Sequence, residues 1–297
     1  MKNIFDSKFF ILIALAFIAG SCRIATKKQI AVTENILPAD TIKTIISDKN
    51  HDKNVEEHTE DTDSLKLAEI LADALEIATK NVHKETFHTD YEATANDEYD
   101  VKVDIKLDYH FTKKYSHLII RRMIWNNLFI DIYSKKNNTF EKVLAIEQWL
   151  FTYVNDTIRD INGDGLNDFV INGYGASGCC LKAFSIVYLL RHDRKTFSND
   201  FDFINPTFSP NEKIIRGICY GHSGQTEMYK YKWNGERVDT LEYVYYERNQ
   251  ENERTGKVII STKPPYIDNN KVLKRLNSVP NEYKKIEGYY WFEGGDE

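Results

Sequence analysis

The chain of 297 residues is 42% hydrophobic and 13% aromatic, with a net charge of -6 and a pI near 5.8. That balance supplies no basic face of the kind nucleic acid requires, so DNA and RNA are excluded as partners. The 18 Tyr and 16 Phe, against three Met, favour strands over helices.

At the N-terminus, Lys2 and Lys8 precede an apolar run over residues 9–18. The run is too short for a membrane span and suits a signal-peptide core. It ends Ala19-Gly20-Ser21-Cys22, small residues followed directly by cysteine, which resembles a bacterial lipobox. Residues 1–21 are therefore expected to be a lipoprotein signal peptide and Cys22 the acylated first residue of the mature protein. This places the protein in the bacterial cell envelope, lipid-anchored to the outer membrane on its periplasmic or surface face. More than one acyl chain is what stable anchoring requires. Residues 22–63 are polar and without pattern, and are expected to form a disordered tether.

Residues 64–81 carry Leu67, Ile70, Leu71, Ala74, Leu75 and Ala78 at helical spacing, a stripe suited to docking on a domain. Asp63 or Ser64 can cap its start and Asn81 its end. After a polar stretch over 82–97, Val101, Val103, Ile105, Leu107, Tyr109 and Phe111 alternate with polar residues, as in a half-buried antiparallel strand. Further strands are expected at 118–125, 128–133, 143–153, 169–172, 183–191, 213–220, 227–233, 237–246 and 257–262, with a closing strand within 285–292. Residues 129–133 lead to Thr139-Phe140, and residues 186–190 lead to Thr196-Phe197, a two-copy repeat at an offset of 57 residues. The expected fold is mainly β. Antiparallel sheets, propeller-like or sandwich-like, would occupy residues 98–297, with one N-terminal amphipathic helix.

The sharpest motif is Asp160-Ile161-Asn162-Gly163-Asp164-Gly165-Leu166-Asn167-Asp168. Asp160, Asn162, Asp164 and Asp168 occupy positions one, three, five and nine of a calcium loop. Gly165 sits at the bend, and Leu166 offers its carbonyl. Position twelve is Ile171, so the loop is not a full EF-hand. An oxygen-only donor set suits calcium better than zinc, and the expected role of the ion is structural.

Three cysteines remain in the mature chain: Cys179, Cys180 and Cys219. Within an oxidising envelope, Cys219 is expected to bridge to Cys179 or Cys180, since adjacent cysteines rarely bridge each other without strain. A catalytic thiol is disfavoured because no histidine is tied to these cysteines by a recognisable signature. Two glycine-serine loops, residues 173–178 and 221–225, would be held side by side by such a bridge. Each is either a binding loop or a plain hairpin turn. Neither matches a phosphate-binding loop or a nucleophile elbow, and no histidine pair has zinc-protease spacing. Among the eight histidines, only His222 falls inside a candidate binding loop.

Taken together, the lipobox, the calcium loop before a strand, Asn205-Pro206-Thr207-Phe208, and Ser223-Gly224 followed by Tyr229 to Gly235 resemble a known family. It comprises bacterial periplasmic lipoproteins that act as immunity proteins against secreted peptidoglycan-degrading effectors, with relatives among lysozyme inhibitors. The resemblance covers roughly residues 125–250. It implies a calcium-stabilised, propeller-like body with no enzymatic activity. Its loops (Ser177, Gly178, His222, Ser223, Gly224 and Tyr229) would engage a protein partner, a peptidoglycan hydrolase of the lysozyme type. The alternative is a calcium-dependent lipoprotein that binds surface glycan or an envelope complex without inhibiting anything.

Overall fold

A computed structural model describes residues 53–94 and 99–295. The signal peptide, Cys22 and the first part of the expected tether lie outside these residues. The described residues begin with helix α1 (Lys53–Lys80) and continue as three antiparallel sheets, each a single meander. Sheet A runs through β1 (Phe87–Thr94), β2 (Asp100–Asp108), β3 (His117–Met123), β4 (Asn127–Lys136) and β5 (Thr139–Trp149). Sheet B holds β6 (Tyr153–Arg159), β7 (Asp168–Tyr174), β8 (Ala183–Leu190) and β9 (Phe197–Ile204). Sheet C holds β10 (Pro206–Ser209), β11 (Ile214–Ile218), β12 (Met228–Trp233), β13 (Val238–Arg248), β14 (Arg254–Ser261) and β15 (Val272–Leu276). A helical turn, α2 (Tyr289–Glu293), follows. Among the described residues, the expected mainly-β class with one N-terminal helix is what forms, and no sheet closes into a barrel.

Period-two alternation distributes side chains to the two faces of each sheet, and those faces define four cores. Leu118 and Ile120 of β3 face α1, where Ile70, Ala74 and Ala78 are buried against Val101, Val103, Ile105 and Leu107. Ile119 on the opposite face joins Ile130 and Ile132 against Phe169 and Ile171 of sheet B. Val170 and Val187 point the other way, onto Ile215, Tyr229, Trp233 and Tyr243 of sheet C. Met228, Val244, Val258 and Ile260 on the far face of sheet C are covered by Val279, Tyr283, Ile286 and Phe292. The order is therefore helix, sheet A, sheet B, sheet C and C-terminal segment. Each layer packs on its neighbours, the C-terminal segment also reaching Leu181 in the β7–β8 loop of sheet B, and the outermost apolar faces are capped. Burial on both faces accounts for the unbroken burial along β11 and over residues 168–171 of β7.

Ion pairs tie the layers laterally. Arg122 donates to Asp131 at 2.8 Å and to the Leu67 carbonyl of α1 at 2.6 Å. Arg121 forms a bidentate pair with Asp156, at 2.9 and 2.7 Å, linking β3 to β6.

Several boundaries differ from expectation. The helix begins eleven residues before Ser64, so residues 53–63 belong to it rather than to a tether, and neither Asp63 nor Ser64 caps its start. Glu, frequent in this stretch, is a good helix former. The polar stretch over 82–97 contains β1, an edge strand paired along its length with β2, so the β-body begins well before residue 98. The strand from Val101 stops at Asp108, leaving Tyr109 exposed. The expected strand at 143–153 is divided by a turn between β5 and β6. The expected closing strand at 285–292 is instead a run of turns ending in α2, bounded by Gly288 and Gly294 at φ 74° and 99°. Both copies of the Thr-Phe repeat start the second strand of a hairpin, β4–β5 in sheet A and β8–β9 in sheet B.

Candidate functional site

The loop of residues 160–168 joins β6 to β7, and its side chains fold onto its own backbone. Asp160 accepts from the amides of Gly163 at 2.7 Å and Gly165 at 2.9 Å. Asn162 accepts from Asp164 N at 3.0 Å, and Asp164 accepts from Leu166 N at 2.8 Å. Asp168 is fully buried and receives Ile161 N and Leu190 N, both at 2.9 Å. Gly165 takes the left-handed φ of 84° that the motif requires. Gly163, at φ 74°, lies so close to Pro210 of the turn after β10 that a Cβ would collide with its carbonyl. Burial raises the Asp168 carboxyl to about 7. Its two amide bonds work against that shift, while the charges of Asp164 and Asp160 add to it.

The second site lies where loops of sheets B and C meet. Cys179 and Cys180 occupy the β7–β8 loop and His222 the β11–β12 loop. The two sulfurs stand 3.1 Å apart, and Cys179 Sγ is 3.5 Å from His222 Nδ1. Among the described residues, these three are the one group of His, Cys, Asp or Glu donors lying within 4.8 Å of one another; the loop carboxylates form no such group. Cys179 and His222 are exposed and Cys180 is buried. Burial, followed by the contact with Cys179, pushes the Cys180 thiol up, while the Lys182 ammonium opposes this. A cavity of about 450 Å³ opens beside them, lined by Tyr174, Gly178, Lys182, Tyr290 and Trp291 among others.

Both loops are held from outside. Gly175 N donates to Lys182 O at 3.0 Å, and Lys182 Nζ reaches Gly178 O at 3.4 Å, closing the cysteine loop. Buried Asn205 donates to Leu181 O and Ile218 O, both at 3.0 Å, tying the loop bases together. The His222 loop is clamped by the C-terminal segment. Trp291 Nε1 donates to Gly221 O at 2.9 Å, and Gly224 N donates to Trp291 O at 2.7 Å. Arg248 and Arg254 both donate to Gly224 O.

The loops expected to meet do meet, but not through the expected bridge. Cys179, Cys180 and Cys219 are all free. Cys219 is buried with Val187, Tyr229 and Tyr243, where burial and then the neighbouring Glu227 carboxylate push its thiol well up. Cys179 and Cys180 lie in a loop rather than a strand, and their two sulfurs turn toward each other. Two further expectations fail. Tyr229 is not on a partner loop: it is 1% exposed in β12 and donates to Ile204 O at 2.8 Å. Ser223 is turned inward, donating to Gly295 O at 2.9 Å. Ser177 and Gly178 are exposed, as a binding loop requires, whereas Gly224 is buried.

An exposed aromatic group at the same end of the sheets escaped the sequence reading. Leu150 N donates to Asn126 O at 2.7 Å, and Tyr174 N donates to Thr152 O at 2.7 Å. These bonds bring Trp125, Trp149, Phe151 and Tyr174 to adjoining turns at exposures of 68%, 48%, 60% and 40%. The rings of Trp149 and Phe151 lie 5.1 Å apart. The available signal was a Trp-Asn-Asn turn and a Trp-Leu-Phe turn in sequence positions where polar residues are usual.

Among the described residues, no helix is long and apolar enough to cross a membrane. Compared with family profiles, curated proteins and solved structures, the chain finds no match in any of the three.

Proposed function

We propose that this chain is a non-enzymatic envelope lipoprotein, acylated at Cys22 and braced by calcium, which binds a protein partner of the peptidoglycan-hydrolase class. The observation that carries the reading is the exposed aromatic group of Trp125, Trp149, Phe151 and Tyr174. Clustered, exposed Trp, Tyr and Phe mark interaction surfaces on otherwise polar proteins, because each ring removes a large area from water on docking. The group adjoins the Cys179 and His222 loops, which are held rigidly and therefore cost little to order on binding. The partner surface in this reading is the aromatic end, since Ser223 and Tyr229 are committed inside the fold.

The residues of the 160–168 loop fit calcium. The donor set is entirely oxygen, and an oxygen that accepts one amide proton retains a second lone pair. Repulsion from Asp160 and Asp164 contributes to the raised Asp168 carboxyl, and a divalent cation relieves repulsion of that kind. Asp160, Asn162, Asp164 and Asp168, with the Leu166 carbonyl, would hold the ion. It would supply positive charge to the turn and brace the start of β7.

The full chain in detergent, titrated against purified muramidases and other peptidoglycan hydrolases, tests the reading. Binding of one of them is expected, with loss of its lytic activity, and Phe151→Ala should weaken it by about tenfold or more. The open aromatic faces favour one second reading, a calcium-dependent binder of surface glycan. Retention of sugars on a glycan array without binding to any hydrolase would replace the first reading with that one.

A further inference from the structure

We propose that Cys179, Cys180 and His222 form a zinc site that straps the β7–β8 loop to the β11–β12 loop and leaves one coordination position open to the adjacent cavity. Two thiolates and an imidazole are donors of borderline-soft character. They suit zinc and exclude calcium and magnesium, which take oxygen. Three protein ligands with a free fourth position make an open site, as distinct from a closed structural one.

The distances support this. At a tetrahedral zinc, with Zn–S about 2.3 Å and Zn–N about 2.0–2.1 Å, neighbouring donor atoms stand roughly 3.5–3.8 Å apart. The Cys179 to His222 Nδ1 separation is 3.5 Å. The sulfurs, at 3.1 Å, must open by about 0.7 Å to reach that range, within reach of a side-chain rotation at the exposed Cys179.

The surroundings prepare the ligands. His222 sits between Gly221 and Gly224, both bonded to Trp291, so its loop is fixed before any ion arrives. Asn205 fixes the base of the cysteine loop to the base of the histidine loop. The Lys182 ammonium, bonded to Gly178 O, adds positive charge beside the cysteine loop. Binding replaces two thiol protons by one divalent ion and releases both protons to solvent, with no change of oxidation state. The fourth position faces the cavity lined by Tyr174, Tyr290 and Trp291, and would take water or a donor atom from a bound molecule.

The test uses the full chain in detergent with a non-thiol reductant, titrated with Zn²⁺ and separately with Co²⁺ as a spectroscopic probe. One equivalent of zinc should bind per chain. Cobalt should give an intense thiolate-to-metal charge-transfer band together with the visible bands of a four-coordinate ion. The band is specific to sulfur and would not arise from the aspartate loop. Cys179→Ser and His222→Gln, both at exposed positions, should each weaken zinc binding by more than about 100-fold, since even outer-sphere changes cost ~10–100-fold. Unchanged circular dichroism would show that the variants fold. Absence of the charge-transfer band in the unmodified chain, or equal zinc affinity in the folded Cys179→Ser chain, would overturn the site.

Discussion

The aspartate loop and the cysteine-histidine cluster lie at opposite ends of β7, and they are built on opposite plans. In residues 160–168 nearly every side-chain oxygen is spent on an amide of the same nine residues or of the next hairpin, so the loop organises itself. In the cluster the three donor atoms face one another, and the restraint comes from Asn205, Trp291, Arg248 and Arg254. The first plan ties the site to folding stability. The second leaves the reactive atoms outside the stability of the fold, free to be used.

The largest test of that difference is Asp168→Ala. It strands the amides of Ile161 and Leu190 in a dry core, each at a cost of about 1–3 kcal/mol, so a loss of roughly 4 kcal/mol is expected in denaturant unfolding. A change below about 1 kcal/mol would mean the loop does not brace β7.

Acid comes next, and it separates the loop from the core beneath it. His117 is wholly buried beside Phe111 and Phe197, and burial depresses its imidazole to about 4. Between pH ~6.5 and 4 the unfolded chain binds a proton there and the native chain does not. Stability therefore falls as the pH falls, by on the order of 3 kcal/mol. Asp168 carries the opposite sign in calcium-free solution. Its raised native carboxyl binds a proton from about pH 7 downward, before the unfolded chain does, so its contribution grows as the pH falls towards 4. Urea titrations across this range should lose the acid-destabilising slope in His117→Phe and keep the Asp168 contribution.

Calcium should act on the loop alone. At ten times its dissociation constant it adds about 1.4 kcal/mol, a rise of a few degrees in Tm that chelator removes and Asp164→Ala abolishes. A Tm indifferent to chelator would remove the ion from the account. The smallest effect is the most pointed one. Cys179→Ser should leave stability within about 0.5 kcal/mol of the unmodified chain while removing zinc binding. If the substitution unfolds the protein, the cluster is structural and the contrast collapses.

How much of this was readable followed from how local each feature is. The aspartate loop holds all its signal within nine residues, including the glycine that takes φ 84°. The α1 stripe was equally clear, because Ile70, Ala74 and Ala78 obey the helical period. β1 hid because an edge strand needs only moderate apolarity on one face, and Phe87, Thr89, Tyr91 and Ala93 supply no more than that. The aromatic run at 289–292 suggested a strand, yet two left-handed glycines confine it to one helical turn. The cluster had no spacing to read. Cys179 and His222 are joined only by the pairing of sheets B and C, and the nearest clue was a pair of glycine-rich loops that the sequence placed together for the wrong reason, a disulfide. The inward fate of Tyr229 follows from its strand phase, which puts it on the same face as Tyr231 and Trp233.

Trp291 makes the cluster depend on a distant stretch of the chain. Its indole binds the Gly221 carbonyl, 70 residues earlier in sequence, and its own carbonyl takes the Gly224 amide. The loop that carries His222 is therefore anchored in part by the layer that covers sheet C. A proteolytic cut that removed this segment would take both anchors away and leave the imidazole without a fixed bearing on the two thiols.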